Sequence, residues 1–309
     1  MLKTPIILDC DPGLDDAIAI FIALASPEFD VKGIVTVAGN QTLDKVTRNA
    51  LQLLDVCESD VPVIRGAALP LVRDQVTAGY VHGESGLKTL VLPEPMKTAQ
   101  NNAMQFIYDT AVELKGELVI VAVGPLTNIA HVLLIHPDLK NHVKKIVIMG
   151  GGHHNGNITP AAEFNIFADP EAAQVVFDSG IELIMVGLDV TMADGLSKDE
   201  VVSLFTKHNE KTKIIEHILL DMVNSEGLGY KPWAYIHDAM ALMVLLYDDL
   251  LSGRWCHVDI ETMGERTYGK TVVDYYDTHQ LPKNAFVTFE VNRTRFHQAI
   301  TERLRVYEQ

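Results

Sequence analysis

LDCDPGLDDA, residues 8–17, sets four aspartates within eight positions directly after the apolar run Ile6-Ile7-Leu8. Residues 6–11 read as a short buried strand, and because strand side chains alternate, Asp9 and Asp11 share one face while Cys10 takes the other. Pro12-Gly13 makes a turn, and Asp15 and Asp16 open the apolar helix AIAIFIALA, where first-turn acids suit the positive end of the helix dipole. Four carboxylates thus converge on one strand-to-helix corner. Held a few ångströms apart they repel, so at least one must take up a proton or meet a cation. An N-cap with solvated neighbours accounts for one or two of them. An all-oxygen site for a hard cation, Ca²⁺ or Mg²⁺, accounts for all four, whereas Zn²⁺ calls for His or Cys ligands.

The same strand-then-helix unit repeats outward from this corner. Apolar β-branched runs at 5–11, 31–39, 117–124, 144–152 and 181–189 read as strands, and 42–57, 101–115, 127–135 and 170–178 as helices, the last opened by Asp169 as N-cap and Pro170 at N1. Near-continuous apolar strands separated by helices imply a parallel sheet covered on both faces. Each strand ends in a polar or glycine-rich corner: Asp9/Asp11, Gly39-Asn40, Gly124-Pro125, Gly150-Gly151-Gly152 and Asp189. Ligands in open α/β sheets bind at those carboxyl edges, so the corners should be neighbours in space. Residues 194–228 turn helical and more polar, 238–251 reads as a further helix, and WCHVDIE, TVVDYYD and NAFVTFEV read as strands before a closing helix near 295–307. The expected class is α/β: a Rossmann-like open, mostly parallel sheet flanked by helices, with a small antiparallel C-terminal extension. With no linker, repeat or low-complexity stretch, one domain over 1–309 is the simplest organisation.

Composition narrows the partners. The chain has 309 residues, 48% of them hydrophobic, with 25 basic against 41 acidic residues and a net charge of −16. Phosphate backbones and anionic membranes would repel such a surface, which argues against nucleic acid and membrane partners. Cys10, Cys57 and Cys256 show no CxxC spacing and form no disulfide framework, which fits a reducing cytoplasm. The N-terminal apolar run is too short for a signal peptide, and 17–25 and 239–247 are too short to span a bilayer.

Other stretches could carry chemistry. GERTYGKT, 264–271, matches the phosphate-loop pattern letter for letter, but that motif needs a helix starting at its Lys-Thr, and TVVDYYDTHQLP reads as strand and turn. AEFNIFADP, 162–170, places Glu163 and Asn165 on one face by two-residue alternation with Phe164 opposite, and Asn157 lies upstream in GGGHHNGN. Carboxylates and amides together suit a sugar diol, although Asx-turns that satisfy the loop's own backbone would use the same residues. Asp238 reads as an N-cap and His237 as a loop histidine; His82 sits in the glycine-rich AGYVHGESG, either at the surface or in a mobile site wall. An EF-hand fails, because Pro12-Gly13 misplaces the turn and the twelfth loop position is Ile20. The D-x-D at a strand end is also shared with haloacid-dehalogenase-type phosphatases, but Asp15-Asp16 follow too closely for their usual loop.

Taken in order, DCDPGLDDAIAI, AGNQT, HGESG, GPLTN, MGGG, AEFNIFADPEAA, VGLDVT and His237-Asp238 closely resemble the inosine–uridine-preferring nucleoside hydrolases, from about residue 5 to 240. The first motif and AEFN are highly specific, HGESG and GPLTN weak alone, and GKTVVDYY is similar to the family's C-terminal region. The resemblance implies a Ca²⁺-dependent ribonucleoside hydrolase, one ion per subunit, that splits the N-glycosidic bond into ribose and free base in nucleoside salvage or catabolism, as a homodimer or homotetramer. Carried over by position, it implies that Asp11, Asp16 and Asp238 bind the ion through carboxylates and Val123 through its backbone carbonyl. Asp15, Asn157, Glu163 and Asn165 would hold the ribose hydroxyls with Asn40 beside the ion, and His82 and His237 would face the base. In chemical terms, base departure leaves an oxocarbenium-like sugar that surrounding oxygens stabilise. Asp11 would take a proton from water as general base, and a histidine titrating near neutrality would assist the leaving base.

Some relatives carry His-Asp-Pro where this chain has Ala239, and others place a tyrosine about a dozen residues before the histidine. Ungapped counting puts Ser225 there, and Tyr230 fits only after a shift. The preference between pyrimidine and purine bases is therefore open, to be sought around His82 and 225–237. Two competing readings stand beside the hydrolase: a Ca²⁺-dependent nucleoside or ribose-binding protein without turnover, and a phosphate-loop enzyme that a β-strand after Thr271 would eliminate.

Overall fold

The computed structural model describes residues 3–224 and 231–309. Its strands in chain order are β1 (Thr4–Cys10), β2 (Phe29–Thr36), β3 (Val63–Arg65), β4 (Leu118–Ala122), β5 (Val143–Met149), β6 (Leu183–Val186), β7 (Leu196–Ser197), β8 (Trp233–Ala234), β9 (Leu251–Ile260), β10 (Thr271–Asp274) and β11 (Ala285–Val291). Nine of them form one sheet in the order β10-β9-β11-β6-β5-β4-β1-β2-β3, while β7 and β8 pair separately. Every pairing from β11 through β6, β5, β4, β1 and β2 to β3 is parallel. The antiparallel part is confined to β9 against β11 and β10 against β9. This is the expected open, mostly parallel sheet with a small antiparallel extension.

The order also positions a site. From β1 the chain adds β2 and β3 on one side and β4, β5 and β6 on the other, so the direction of winding reverses between β1 and β4. Crossover loops diverge at such a switch point and leave a crevice beyond the strand ends. Asp11 follows β1 there, and Val123 follows β4.

β1 sits in mid-sheet because its residues allow burial on both faces: Ile6, Ile7 and Leu8 are fully buried. Helix Leu14–Ala25 is buried on every side from Leu14 to Ala23, including Asp15 and Asp16. A helix apolar all round has no solvent face to give up, so it packs centrally and holds the acid corner rigidly. Truncating Ile20 to Ala there should cost about 2–5 kcal/mol. The helices expected at 42–57, 101–115, 127–135 and 170–178 appear as Leu43–Val56, Ala103–Leu114, Thr127–Ile135 and Pro170–Phe177, with Asp169 capping the last by accepting from Ala172 N at 3.1 Å.

One expectation changes, one strand is new, and one reading is borne out. The helix expected over 238–251 is His237–Met243, and its apolar continuation turns into β9 at Leu251. β3 has only three residues, its short apolar run Val61-Pro62-Val63-Ile64 being interrupted by a proline. GERTYGKT feeds β10, not a helix, so it cannot be a phosphate loop. Lys270 Nζ instead donates to the carbonyls of Gly152 and His153 at 2.7 and 2.8 Å, bracing the glycine corner after β5.

Candidate active site

The crevice at the switch point opens into a cavity of about 500 Å³, a size suited to a small molecule. Its lining includes the polar groups Asp15, Asn40, Val123, Asn157, Glu163, Asn165 and Asp238, here called the floor, and Tyr80, Met192, Met222, Trp233, Tyr235 and His237, here called the wall, with His82 beside Asn40 at the acid corner. Asp11 and Asp16 are fully buried beneath the floor.

Local backbone chemistry explains how the acids are held. Asp16 Oδ1 accepts from Asp11 N at 3.0 Å and its Oδ2 from Gly13 N at 2.9 Å, folding the turn onto the helix start. Asn40, at the corner after β2, donates its backbone N–H to Asp11 Oδ2 at 2.6 Å and its amide to Asp11 O and Asp16 Oδ2 at 3.1 and 3.0 Å. Asp11 is further walled in by glycines: a Cβ on Gly39 would stand 2.1 Å from its Oδ2, and one on Gly124 2.6 Å from its Oδ1. That second oxygen, Asp11 Oδ1, is buried with no hydrogen-bond partner.

Oxygens of Asp15, Asp16 and Asp238 all lie within 4.8 Å of one another. Asp15, which the resemblance implies for the sugar, thus belongs to the same acid cluster as two implied ion ligands. Burial foremost, then like charge, pushes the whole group up: Asp15 to about 8, and Asp11 and Asp238 well above the carboxylate range. Burial likewise raises Asp16, against the backbone N–H groups that lower it. A buried carboxylate group with an orphaned oxygen and, among the described residues, no cationic side chain within hydrogen-bond reach fits a bound metal ion, and oxygen-only donors favour a hard one. The Val123 carbonyl accepts from Asn165 Nδ2 at 2.8 Å and keeps a second lone pair.

Glu163 is the N-cap of helix Phe164–Ala168; its Oε1 accepts from Asn165 N at 2.9 Å and its Oε2 from Ile166 N at 3.1 Å and Gly151 N at 2.9 Å. Burial still lifts its carboxyl to about 7. The strand-like alternation expected here is therefore wrong: Glu163 and Asn165 reach the cavity from a helix start, and Phe164 lines it too. Asn157 Oδ1 accepts from Phe164 N at 2.8 Å and so joins the GGGHHNGN loop to that helix. Asp238 is likewise not an N-cap but lies in the first turn of His237–Met243, after Ile236.

His82 is buried, and its Nδ1 accepts from Leu14 N at 3.1 Å. That bond fixes the neutral ring with its proton on Nε2. Burial, reinforced by His237, lowers His82 to about 3; burial alone lowers His237 to about 4, and His237 Nδ1 pairs with Thr191 Oγ1 at 2.7 Å. Both histidines lie below the near-neutral titration expected, because burial leaves each ring little solvent to stabilise its cation. Ser225 and Tyr230 lie outside the described residues. Trp233 and Tyr235 were missed by sequence reasoning; their signal is the period-two pattern of Trp233, Tyr235 and His237 around fully buried Ala234 and Ile236.

The switch-point cavity of this open α/β sheet joins carboxylate and amide groups suited to a sugar to a wall of aromatic side chains. The model of the family "Inosine-uridine preferring nucleoside hydrolase" matches residues 6–298. Curated relatives named pyrimidine-specific ribonucleoside hydrolase RihA, from Salmonella arizonae and Escherichia coli, are 46% and 45% identical over 99% of this chain and all of theirs. Among solved structures, a purine-preferring ribonucleoside hydrolase from Gardnerella vaginalis superimposes with a TM-score of 0.91 at 29% identity, covering 98% of this chain and 99% of its own. An inosine-guanosine nucleoside hydrolase gives 0.88 at 29%, covering 97% and 98%. The chain belongs to the inosine-uridine preferring nucleoside hydrolase family and is a ribonucleoside hydrolase. Among the described residues no helix is long and apolar enough to cross a membrane.

Proposed function

We propose that the chain, acting as one domain over 1–309, hydrolyses the N-glycosidic bond of pyrimidine ribonucleosides to ribose and free base, in nucleoside salvage or catabolism. The observation that carries this reading is the two-ended cavity, in which amide and carboxylate groups suited to a sugar stand over Asp11 with its orphaned oxygen. Pyrimidine bases are favoured by the names of the relatives at 45–46% identity.

Asp11, Asp16 and Asp238, with the Val123 carbonyl, would hold one Ca²⁺. When bound, the ion supplies a Lewis acid that neutralises the corner and lowers the pKa of water. The chain's own groups do the rest. Asp11, kept in place by the Asn40 N–H and free at Oδ1, takes the proton of the attacking water. Asp15, Asn157, Glu163 and Asn165 exchange hydrogen bonds with the ribose hydroxyls, donors and acceptors both being present. Their oxygens also stabilise positive charge as it develops on the ring, the kind of interaction that accelerates the step because it strengthens only there. His82 offers a neutral Nε2–H and His237 its free ring edge to the departing base; they orient and hydrogen-bond it, without acting as imidazolium acids. Assembly into a homodimer or homotetramer is part of the reading, checked by light scattering.

Incubating the protein with uridine, cytidine, inosine and adenosine in the presence of Ca²⁺ and measuring released ribose tests the proposal. Uridine and cytidine should be cleaved fastest; no ribose from any of the four would overturn it.

A further inference from the structure

The acid floor accounts for the sugar and leaves the other end of the cavity unexplained. There residues 231–236 lead into helix His237–Met243, anchored where Trp233–Ala234 (β8) pairs antiparallel with β7. Ala234 and Ile236 are fully buried, while Trp233, Tyr235 and, from the start of its helix, His237 line the cavity. Their rings form a ladder. Tyr235 lies 6.1 Å from His237 at an interplanar angle of 24°, and Trp233 lies 6.1 Å from Tyr235 at 46°. At the outer end Lys231 Nζ sits 4.2 Å from the Trp233 ring centre and holds that ring at the rim through a cation–π contact.

We propose that Tyr235 and Trp233 recognise the base by stacking and grade substrates by ring size, Tyr235 contacting every base and Trp233 only the larger fused ones. The inference rests on the hydrolase reading above, because it needs the ribose on the acid floor. His237 is covalently next to Asp238 of that floor, so the ladder begins at the sugar end and leads outward. A base joined to a ribose seated there meets His237 and Tyr235 first. Trp233 stands one ring-to-ring step further out and is within reach only of a two-ring base. The wall is completed by the thioethers of Met192 and Met222, which adapt to aromatic faces. Such a surface reads the area of a planar heteroaromatic ring more than the donors and acceptors on its edge.

The chain has two tryptophans, Trp233 and Trp255, and Trp255 lies on β9, outside the cavity lining. In Trp255→Phe, emission therefore comes from Trp233 alone, and hypoxanthine should quench it more than uracil, and D-ribose not at all. Tyr235→Ala should raise KM for uridine and for inosine about tenfold, the size of one lost aromatic stack. Trp233→Ala should raise KM for inosine, or its inhibition constant against uridine cleavage, about tenfold, while uridine changes less than twofold. Inhibition by D-ribose should be unchanged in both, and Trp233→Phe should restore most of the inosine affinity. The proposal is overturned if neither free base quenches Trp233, or if Trp233→Ala weakens D-ribose or uridine as much as inosine. Failure of the hydrolase reading looks different: Trp255→Phe would release no ribose while base quenching persists.

Discussion

The floor and the wall of the cavity are built on opposite principles. At the floor the acids are buried, and three are pinned by backbone: Asp16 and Glu163 close helix starts on themselves, and Asn40 clamps Asp11. At the wall the side chains touch one another through ring faces, with Thr191 fixing His237. The floor is thus costly to assemble without a counter-charge, since the buried like charges disfavour one another. The wall is a hydrocarbon and aromatic surface with little electrostatic cost. On the proposed reading the two regions divide the work, rate at the rigid acid floor and base preference at the wall.

Substitutions should separate the two. Asp11→Asn removes the proton acceptor and should lower kcat for uridine about 10³-fold, with KM for uridine little changed. In chelator its melting temperature should stay close to that of the parent, because the buried Asp11 carboxyl, raised well above the carboxylate range, is held protonated there; circular dichroism checks this, and a large drop would reassign Asp11 to structure. Glu163→Gln keeps the size of the side chain but leaves one accepting oxygen in place of two and weakens charge stabilisation of the sugar, and about 10²-fold should be lost in kcat. Steady-state rates would sharpen the comparison, because a change in KM alone would place Glu163 in ground-state binding.

The acid floor should also show in stability against pH. Folded carboxyls at about 7 for Asp9 and Glu163 and about 8 for Asp15 stand above their unfolded values. Such groups favour the fold while protonated, and that contribution is lost as pH rises from about 4 through 7–8. The chelated protein should therefore melt lower at pH 8 than at pH 5, and Ca²⁺ should raise the melting temperature more at pH 8. An equal Ca²⁺ increment at both pH values would detach the ion from this cluster. The smallest effect is expected at Lys270→Ala, where two charged hydrogen bonds to the Gly152 and His153 carbonyls are lost. About 1 kcal/mol of stability should go, with no change in nucleotide affinity, as chemical denaturation and calorimetry with ATP would show.

The floor was legible in sequence because like charge in LDCDPGLDDA demands a physical reason, and apolar β-branched runs located its strands to within a few residues. What could not be read was geometry set by packing. Nothing in AEFNIFADP distinguishes a strand from a helix start, so Glu163 and Asn165 were expected by alternation and came from a cap. The apolar pattern of 238–251 does not mark where helix His237–Met243 gives way to β9. Histidine titration depends on burial, which the glycine-rich loop around His82 conceals. The wall was hardest: Trp233 and Tyr235 carry no charge and match no motif, and their alternation became meaningful only once Ala234 and Ile236 were seen to be buried.

The central claim is that the acid floor breaks the bond only with an ion bound. Its most direct test is to strip the protein with EDTA, measure ribose release from uridine, and titrate Ca²⁺ back while following the rate. Release should fall to background in chelator and return in full at one Ca²⁺ per chain; an undiminished rate in chelator would contradict the account.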